Sequence, residues 1–155
     1  MEFINFEVLD SLDAGLLQVI KKLEIENLGV DAALNEWQIP VFTRYGRFII
    51  ALGPTGEIAG VCQALRSWKN PDVAFIHSFY IVQKFRNRGA GKSLLGYVIE
   101  LFRTEGFKRA ELTVDPENAV ALKLYAGFGF KVKELKNDEY GHGFDRYLME
   151  LSLIE

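Results

Sequence analysis

Hydrophobic residues recur with two periods along this chain, and the change from one period to the other outlines its elements. Short apolar or alternating runs bounded by turn residues predict β-strands, whereas apolar residues three and four positions apart predict helices. The predicted strands cover residues 3–9, 48–52, 58–65, 73–82, 109–115, 130–136 and 144–153. The predicted helices run from a Ser11 cap to about Leu28, from near Asp31 to before Pro40, and over residues 89–105 and 117–127.

The order of these elements predicts the fold class. Turn residues 53–56 join two strands as a hairpin, and the nearly all-apolar run 73–82 suits a central strand buried on both faces. A β-α-β crossover follows, and Gly106 ends its helix as a glycine C-cap. We therefore predict an α/β protein with a mixed sheet and helices on both faces, in a single domain of residues 1–155.

Composition and charge narrow the class of protein. Hydrophobic residues make up 49% of the chain, which allows a sizeable core. The net charge of -3 argues against general nucleic-acid binding, which needs a basic face. The single cysteine, Cys62, lies in an apolar run and is predicted to be a core residue, not a nucleophile. Because no signal pattern or membrane-length apolar run is present, we expect a soluble, cytoplasmic protein.

The clearest chemical signal is the stretch 86–93, Arg-Asn-Arg-Gly-Ala-Gly-Lys-Ser, between the central strand and the long helix. Glycines let the backbone approach a ligand, and the N–H groups of a helix start attract an anion. Arg86, Arg88 and Lys92 add positive charge. These features predict a phosphate-binding loop, and the alternative is a glycine-rich turn that only caps a helix.

Two familiar phosphate loops do not match this stretch. Gly91-Lys92-Ser93 resembles the end of a G-x-x-x-x-G-K-[ST] loop, but the first glycine of that motif would fall at Arg86. A dinucleotide G-x-G-x-x-G motif would need its third glycine at Leu94. The pattern that remains is R-x-x-G-x-G.

This pattern, at the start of the long helix, resembles the first motif of the GNAT superfamily of acetyl-CoA-dependent N-acetyltransferases. Residues 118–130 have the pattern N-x-x-A-x-x-x-Y-x-x-x-G-F, which is similar to that family's later signature and lies one strand further along. The resemblance covers nearly the whole chain, and most specifically residues 73–136. It implies a GNAT-like central mixed, mostly antiparallel sheet of about seven strands, with acetyl-CoA as co-substrate and no metal.

The resemblance also implies the site residues. In GNAT-like proteins the pyrophosphate of coenzyme A sits on the loop's backbone amides, and the pantetheine arm pairs with the central strand. A bulge would free an amide near Ile81 to stabilise the thioester oxygen, and Tyr125 would protonate the departing thiolate. The implied cofactor-binding residues are Phe79, Tyr80, Ile81, Arg86, Asn87, Arg88, Gly89, Ala90, Gly91, Lys92, Asn118 and Tyr125.

Helix spacing supports two interpretations of the second motif. Asn118 and Tyr125 are seven residues apart, so they share one helix face and can line one side of a ligand slot. The alternative is a core tyrosine and an asparagine that caps the helix. The resemblance favours the ligand-binding interpretation for Tyr125.

A general base is less clearly marked. His77 lies on the central strand and is the first candidate, with a satisfied core histidine as its alternative. Glu24, Glu26 and Glu36 are further candidates, because the first helices commonly line the acceptor site in similar proteins. The alternative is that these carboxylates lie on solvated helix faces. For an α-amino group, whose pKa is about 8, a water chain could suffice.

We therefore predict an N-acetyltransferase that moves acetyl from acetyl-CoA to a primary amine by direct transfer in a ternary complex. The amine belongs to a small molecule or to a protein or peptide, and residues 24–45 and 136–144 would form its pocket. We expect a monomer or homodimer with no nucleic-acid or membrane partner. The alternative is a non-catalytic acyl-CoA-binding module, whereas Arg86 disfavours a P-loop nucleotide hydrolase.

Overall fold

The computed structural model describes residues 5–154. The strands within that range are β1 (Asn5–Leu9), β2 (Arg47–Leu52), β3 (Ile58–Arg66), β4 (Val73–Ile81), β5 (Arg109–Val114), β6 (Lys131–Lys136) and β7 (Arg146–Ser152). The α-helices are α1 (Ala14–Leu28), α2 (Ile39–Tyr45), α3 (Ala90–Thr104) and α4 (Ala119–Gly127), and a 3-10 turn covers Gln83–Phe85. None of the helices in residues 5–154 combines the length and the apolar character needed to cross a bilayer.

The strands form a seven-stranded sheet in the order β1-β2-β3-β4-β5-β7-β6. β2 pairs antiparallel with β1 and β3, and β7 pairs antiparallel with β5 and β6. β4 and β5 run parallel, from Val73 paired with Arg109 to Ile76 paired with Leu112. The sheet is therefore mixed and mostly antiparallel, and helices flank it, which confirms the predicted fold class.

The apolar patterns locate the strands closely. Each of the seven predicted strands is present, and its described ends differ from the prediction by at most two residues. Residues 3 and 4 of the first predicted strand lie outside the described residues. The two later helices are also present, and Gly106 follows α3 with a φ of 87°, which suits a glycine.

The two helix starts predicted in the N-terminal part are wrong. Asp13, not Ser11, caps α1, because its side chain accepts a hydrogen bond from Leu16 N at 2.7 Å. The helix predicted from near Asp31 to before Pro40 is absent, and α2 starts where that helix was expected to stop. A proline is tolerated in the first turn of a helix, where its missing N–H has no acceptor to lose.

By its contacts the chain divides into two compact units. The first comprises residues up to Leu65 together with Ser78–Val98, and the second comprises Arg66–His77 together with residues from Ile99 onward. The first unit has an apolar core that includes Ile20, Ile39, Phe48, Ile50, Val61 and Tyr80. The second buries Phe102, Ala110, Leu112, Phe130 and Met149. A single domain over residues 1–155 stays a prediction from the sequence.

The prediction that Cys62 is a core residue is confirmed. Cys62 lies on β3 and is fully buried. Burial raises the pKa of its thiol, because a thiolate would be left without solvent. Cys62 is therefore a core residue whose thiol stays protonated.

Candidate active site

The predicted phosphate loop lies in the first unit, between β4 and α3. Its backbone turns sharply at Asn87 and Gly89, whose φ angles are 63° and 82°. Left-handed residues in such a turn aim successive N–H groups towards one side, which makes a concavity suited to an anion. A Cβ at Gly89 would meet no atom within 4 Å, so the glycine is needed for its backbone angle and not for space.

Helix α3 adds N–H groups to this loop. The bond from Ser93 N to Gly89 O, at 3.1 Å, is the first of the helix. The N–H groups of Ala90, Gly91 and Lys92 therefore have no acceptor within the helix. The same groups carry the positive end of the helix dipole, so this end of α3 can hold a phosphate.

The loop carries three charged side chains, those of Arg86, Arg88 and Lys92, and all three residues are exposed. The Arg86 guanidinium is bound within the protein: its Nε donates to the carbonyl oxygen of Ile81 at 2.8 Å, and its Nη2 donates to Asn27 Oδ1 at 3.1 Å. Contact between Arg86 and a phosphate stays a prediction, because the structure shows this side chain joined to β4 and α1.

Strand β4 carries three further predicted cofactor-binding residues. Phe79 is half-buried, whereas Tyr80 and Ile81 are buried. In the second unit, the ladder between β4 and β5 spans Val73–Ile76, although β4 continues to Ile81. The predicted bulge at the strand end stays a prediction. His77, the first candidate base, is half-buried and directly follows the part of β4 that pairs with β5.

Among the candidate carboxylates, Glu24 is the one that the structure buries. Its exposed fraction is 0%, and its Oε1 accepts a hydrogen bond from Leu34 N at 3.1 Å. Its Oε2 and the buried Tyr80 hydroxyl have no partner in hydrogen-bonding geometry among residues 5–154. Burial raises the pKa of Tyr80, and the nearby Glu24 carboxylate raises it further, so the hydroxyl stays protonated beside the carboxylate.

The burial of Glu24 departs from the solvated-face alternative, and the sequence contains a signal for it. Leu16, Ile20, Glu24 and Leu28 follow one another at intervals of four, so Glu24 lies on the apolar side of α1. Glu26 does match the solvated alternative, since it is exposed and pairs with Lys22, whereas Glu36 is half-buried and pairs with Lys21. The pKa of Glu36 is lowered by its backbone hydrogen bond and then by Lys21, 2.9 Å away.

In the second unit, helix α4 positions the later motif. Tyr125 is buried, and its ring centroid lies 5.8 Å from that of Phe130. Asn118 is exposed and caps α4, because its Oδ1 accepts a hydrogen bond from Ala121 N at 3.1 Å. The capping alternative for Asn118 is therefore what the structure shows, and a cofactor contact by the same residue stays a prediction.

The second predicted pocket segment is an ordered connection between β6 and β7. Asp138 has a φ of 53°, and its Oδ1 accepts a hydrogen bond from Gly143 N at 2.8 Å. The Tyr140 hydroxyl lies 2.9 Å from Thr113 Oγ1, and the Arg146 guanidinium lies 5.5 Å from the Tyr140 ring centroid. Within residues 5–154, no group of three histidine, cysteine or acidic side chains is arranged to hold a metal ion.

Comparison with known proteins supplies the family. Residues 17–130 match the acetyltransferase (GNAT) family. An uncharacterised N-acetyltransferase of Methanocaldococcus jannaschii is 34% identical over 82 residues, which are 53% of this chain and 36% of that protein. The match therefore spans about a third of that curated relative's length.

Solved structures share the fold. The ribosomal-protein-S18-alanine N-acetyltransferase from Escherichia coli has a TM-score of 0.79 at 18% identity, covering 97% of this chain and 96% of that chain. A phosphinothricin acetyltransferase from Sinorhizobium meliloti, in complex with AcCoA, has a TM-score of 0.78 at 18% identity, covering 97% and 89%. The family match includes both sequence motifs, and the chain belongs to the acetyltransferase (GNAT) family.

The burial of Glu24 leads to a stability prediction. We expect Glu24→Ala to lower the free energy of unfolding by about 2–4 kcal/mol, because it leaves a cavity and deprives the buried Leu34 N–H of its acceptor. Urea unfolding followed by circular dichroism measures this. Glu24→Gln keeps an acceptor oxygen and should lose less, and Glu26→Ala, exposed on the same helix, should change little. Equal losses for Glu24→Ala and Glu26→Ala would contradict the assignment.

Proposed function

We propose that the protein is an acetyl-CoA-dependent N-acetyltransferase that acetylates a primary amine of a small molecule or of a protein or peptide. The observation that carries this proposal is the loop between β4 and α3, within the family match over residues 17–130. Left-handed Asn87 and Gly89 lead into three helix N–H groups without helical acceptors. Such a loop suits the pyrophosphate of coenzyme A.

Each part of the loop has a proposed role. The backbone amides of residues 87–92 bind the pyrophosphate, and the exposed Arg88 and Lys92 add charge close to it. The backbone around Phe79, Tyr80 and Ile81 receives the pantetheine arm as an added strand would. A cluster of cations on a chain of net charge -3 is a local feature, which favours a phosphorylated small molecule over a nucleic-acid backbone.

The reaction is a direct transfer. The neutral amine nitrogen attacks the thioester carbonyl carbon, a C–N bond forms, and the tetrahedral intermediate collapses with cleavage of the C–S bond. A backbone N–H near Ile81 donates to the oxygen while it carries charge, which is typically worth about a hundred- to a thousandfold in rate. The amine loses its proton to water or to His77, and Tyr125 gives a proton to the thiolate.

The family motif and the position of Tyr125 support its proposed role. A tyrosine hydroxyl with an ordinary pKa of about 10 is protonated at neutral pH and can donate to a developing thiolate. The ring is held on α4 near Phe130, so its orientation is restricted. Cytoplasmic location, a monomeric or homodimeric state, and the absence of nucleic-acid and membrane partners stay predictions.

Ligand-dependent melting tests the cofactor. At a concentration about 100 times its Kd, acetyl-CoA should stabilise the folded protein by about 2.7 kcal/mol, and Mg-ATP should give no comparable shift. Differential scanning fluorimetry measures both shifts, and Lys92→Ala should reduce the acetyl-CoA shift. Stabilisation by Mg-ATP without any response to acetyl-CoA would contradict the proposed cofactor.

Substitution of Tyr125 tests the transfer chemistry. With a panel of amines and N-terminal peptides, we expect Tyr125→Phe to slow free-thiol release by about a hundredfold or more while keeping the ring that packs near Phe130. Tyr97→Phe is the control, because it keeps the ring stacked on Phe6 at 4.6 Å and should transfer normally. An unchanged rate for Tyr125→Phe would refute its role as the acid. If no amine raised thiol release above hydrolysis, an acyl-CoA-binding module would replace the enzyme.

A further inference from the structure

The Arg86 side chain joins three parts of the first unit. Its backbone opens the loop, its Nε donates to Ile81 O at the end of β4, and its Nη2 donates to Asn27 Oδ1 in the last turn of α1. The Asn27 amide is oriented from its other side as well, because its Nδ2 donates to Leu23 O at 2.8 Å. The guanidinium therefore meets an acceptor whose position is already fixed.

The bond to Ile81 completes the restraint of one peptide group. The carbonyl of the Ile81–Val82 peptide accepts from Arg86, and the N–H of the same peptide, on Val82, donates to Ala59 O at 2.8 Å. Rotation of this peptide would break two hydrogen bonds, one of them to a charged donor. The end of β4, which includes the Ile81 amide that we propose as an oxyanion donor, is therefore held in one orientation.

The bond to Asn27 connects this strand end to the acceptor side. The chain continues from the end of α1 into residues 29–38, which belong to the predicted acceptor pocket. The buried Glu24 accepts from Leu34 N, so that segment is tied to α1 as well. Asn27 and Glu24 both lie on α1, so this helix connects the phosphate loop to residues around Leu34.

We propose that Arg86 is a positioning residue, which uses its guanidinium to hold the end of β4 and the last turn of α1 in register for acetyl transfer. This inference rests on the proposed N-acetyltransferase function. Only a planar guanidinium, with donors in a fixed fork, can reach both acceptors in this way, since a lysine ammonium is a point charge on a flexible stem. Direct contact between the Arg86 side chain and the pyrophosphate is the competing role.

Five variants separate the two roles: Asn27→Ala, Arg86→Ala, Arg86→Lys, the Asn27→Ala/Arg86→Ala double variant, and Lys92→Ala as the comparison for cofactor binding. Acetyl-CoA Kd is measured by calorimetry, and kcat and the acceptor KM by thiol release, after thermal melts confirm folding. For a positioning residue, Asn27→Ala and Arg86→Ala both lower kcat over acceptor KM by about tenfold to a hundredfold. The double variant should be no worse than Arg86→Ala, because both changes break one connection.

The cofactor measurements complete the test. Asn27→Ala should change the acetyl-CoA Kd by less than about twofold, Arg86→Lys should not restore transfer, and Lys92→Ala should weaken acetyl-CoA binding with the acceptor KM unchanged. The inference is overturned if Arg86→Ala weakens acetyl-CoA binding as much as Lys92→Ala does, Arg86→Lys restores that binding, and Asn27→Ala changes neither the acetyl-CoA Kd nor kcat over acceptor KM. Absence of transfer by the wild-type protein would instead overturn the proposed function.

Discussion

The candidate site depends on the two hydrogen bonds that hold the Ile81–Val82 peptide at the end of β4. The Ile81 carbonyl is held by Arg86 and the Val82 N–H by Ala59 O, each at 2.8 Å. The chain therefore leaves the strand in a fixed direction before the left-handed residues Asn87 and Gly89 turn it into α3. A loop that binds a ligand through backbone N–H groups needs a fixed starting point of this kind, because its affinity for the ligand depends on the direction of those groups.

A buried polar side chain in the core of the first unit fixes the orientation of a neighbouring backbone segment. Glu24 is fully buried near Tyr80, and its Oε1 accepts a hydrogen bond from Leu34 N. Burying a carboxylate is costly, so this arrangement contributes little net stability by itself. Its effect is to fix residues around Leu34 against α1, which apolar side chains alone would do with less directional preference.

The sequence predicts secondary structure well wherever the pattern depends on residues close together in the chain. Apolar runs between turn residues predict the strands. The R-x-x-G-x-G pattern predicts a loop, and in the structure its Gly89 has a left-handed backbone conformation. The prediction at α2 is wrong because Pro40 lies in the first turn of that helix and not after the end of an earlier one, and a proline fits equally well in either place. Asp13 and Ser11 are both good cap residues, and only the geometry distinguishes them.

What the sequence could not supply is the partner of each polar side chain. Arg86 and Asn27 are 59 residues apart, and no spacing rule connects them. The sequence shows three cations in the loop, and only the folded structure shows that the Arg86 guanidinium donates to Ile81 O and to Asn27 Oδ1. The family supplies the reaction class, while the two segments predicted to form the acceptor pocket contain no motif that specifies an amine.

Backbone amide NMR during titration with coenzyme A tests the central claim most directly, because that claim concerns N–H groups in the loop between β4 and α3. The account predicts that the largest chemical-shift changes fall on the amides of residues 87–92, with smaller changes along β4. Coenzyme A binding that left those amides unchanged, with its largest changes elsewhere in the chain, would contradict it.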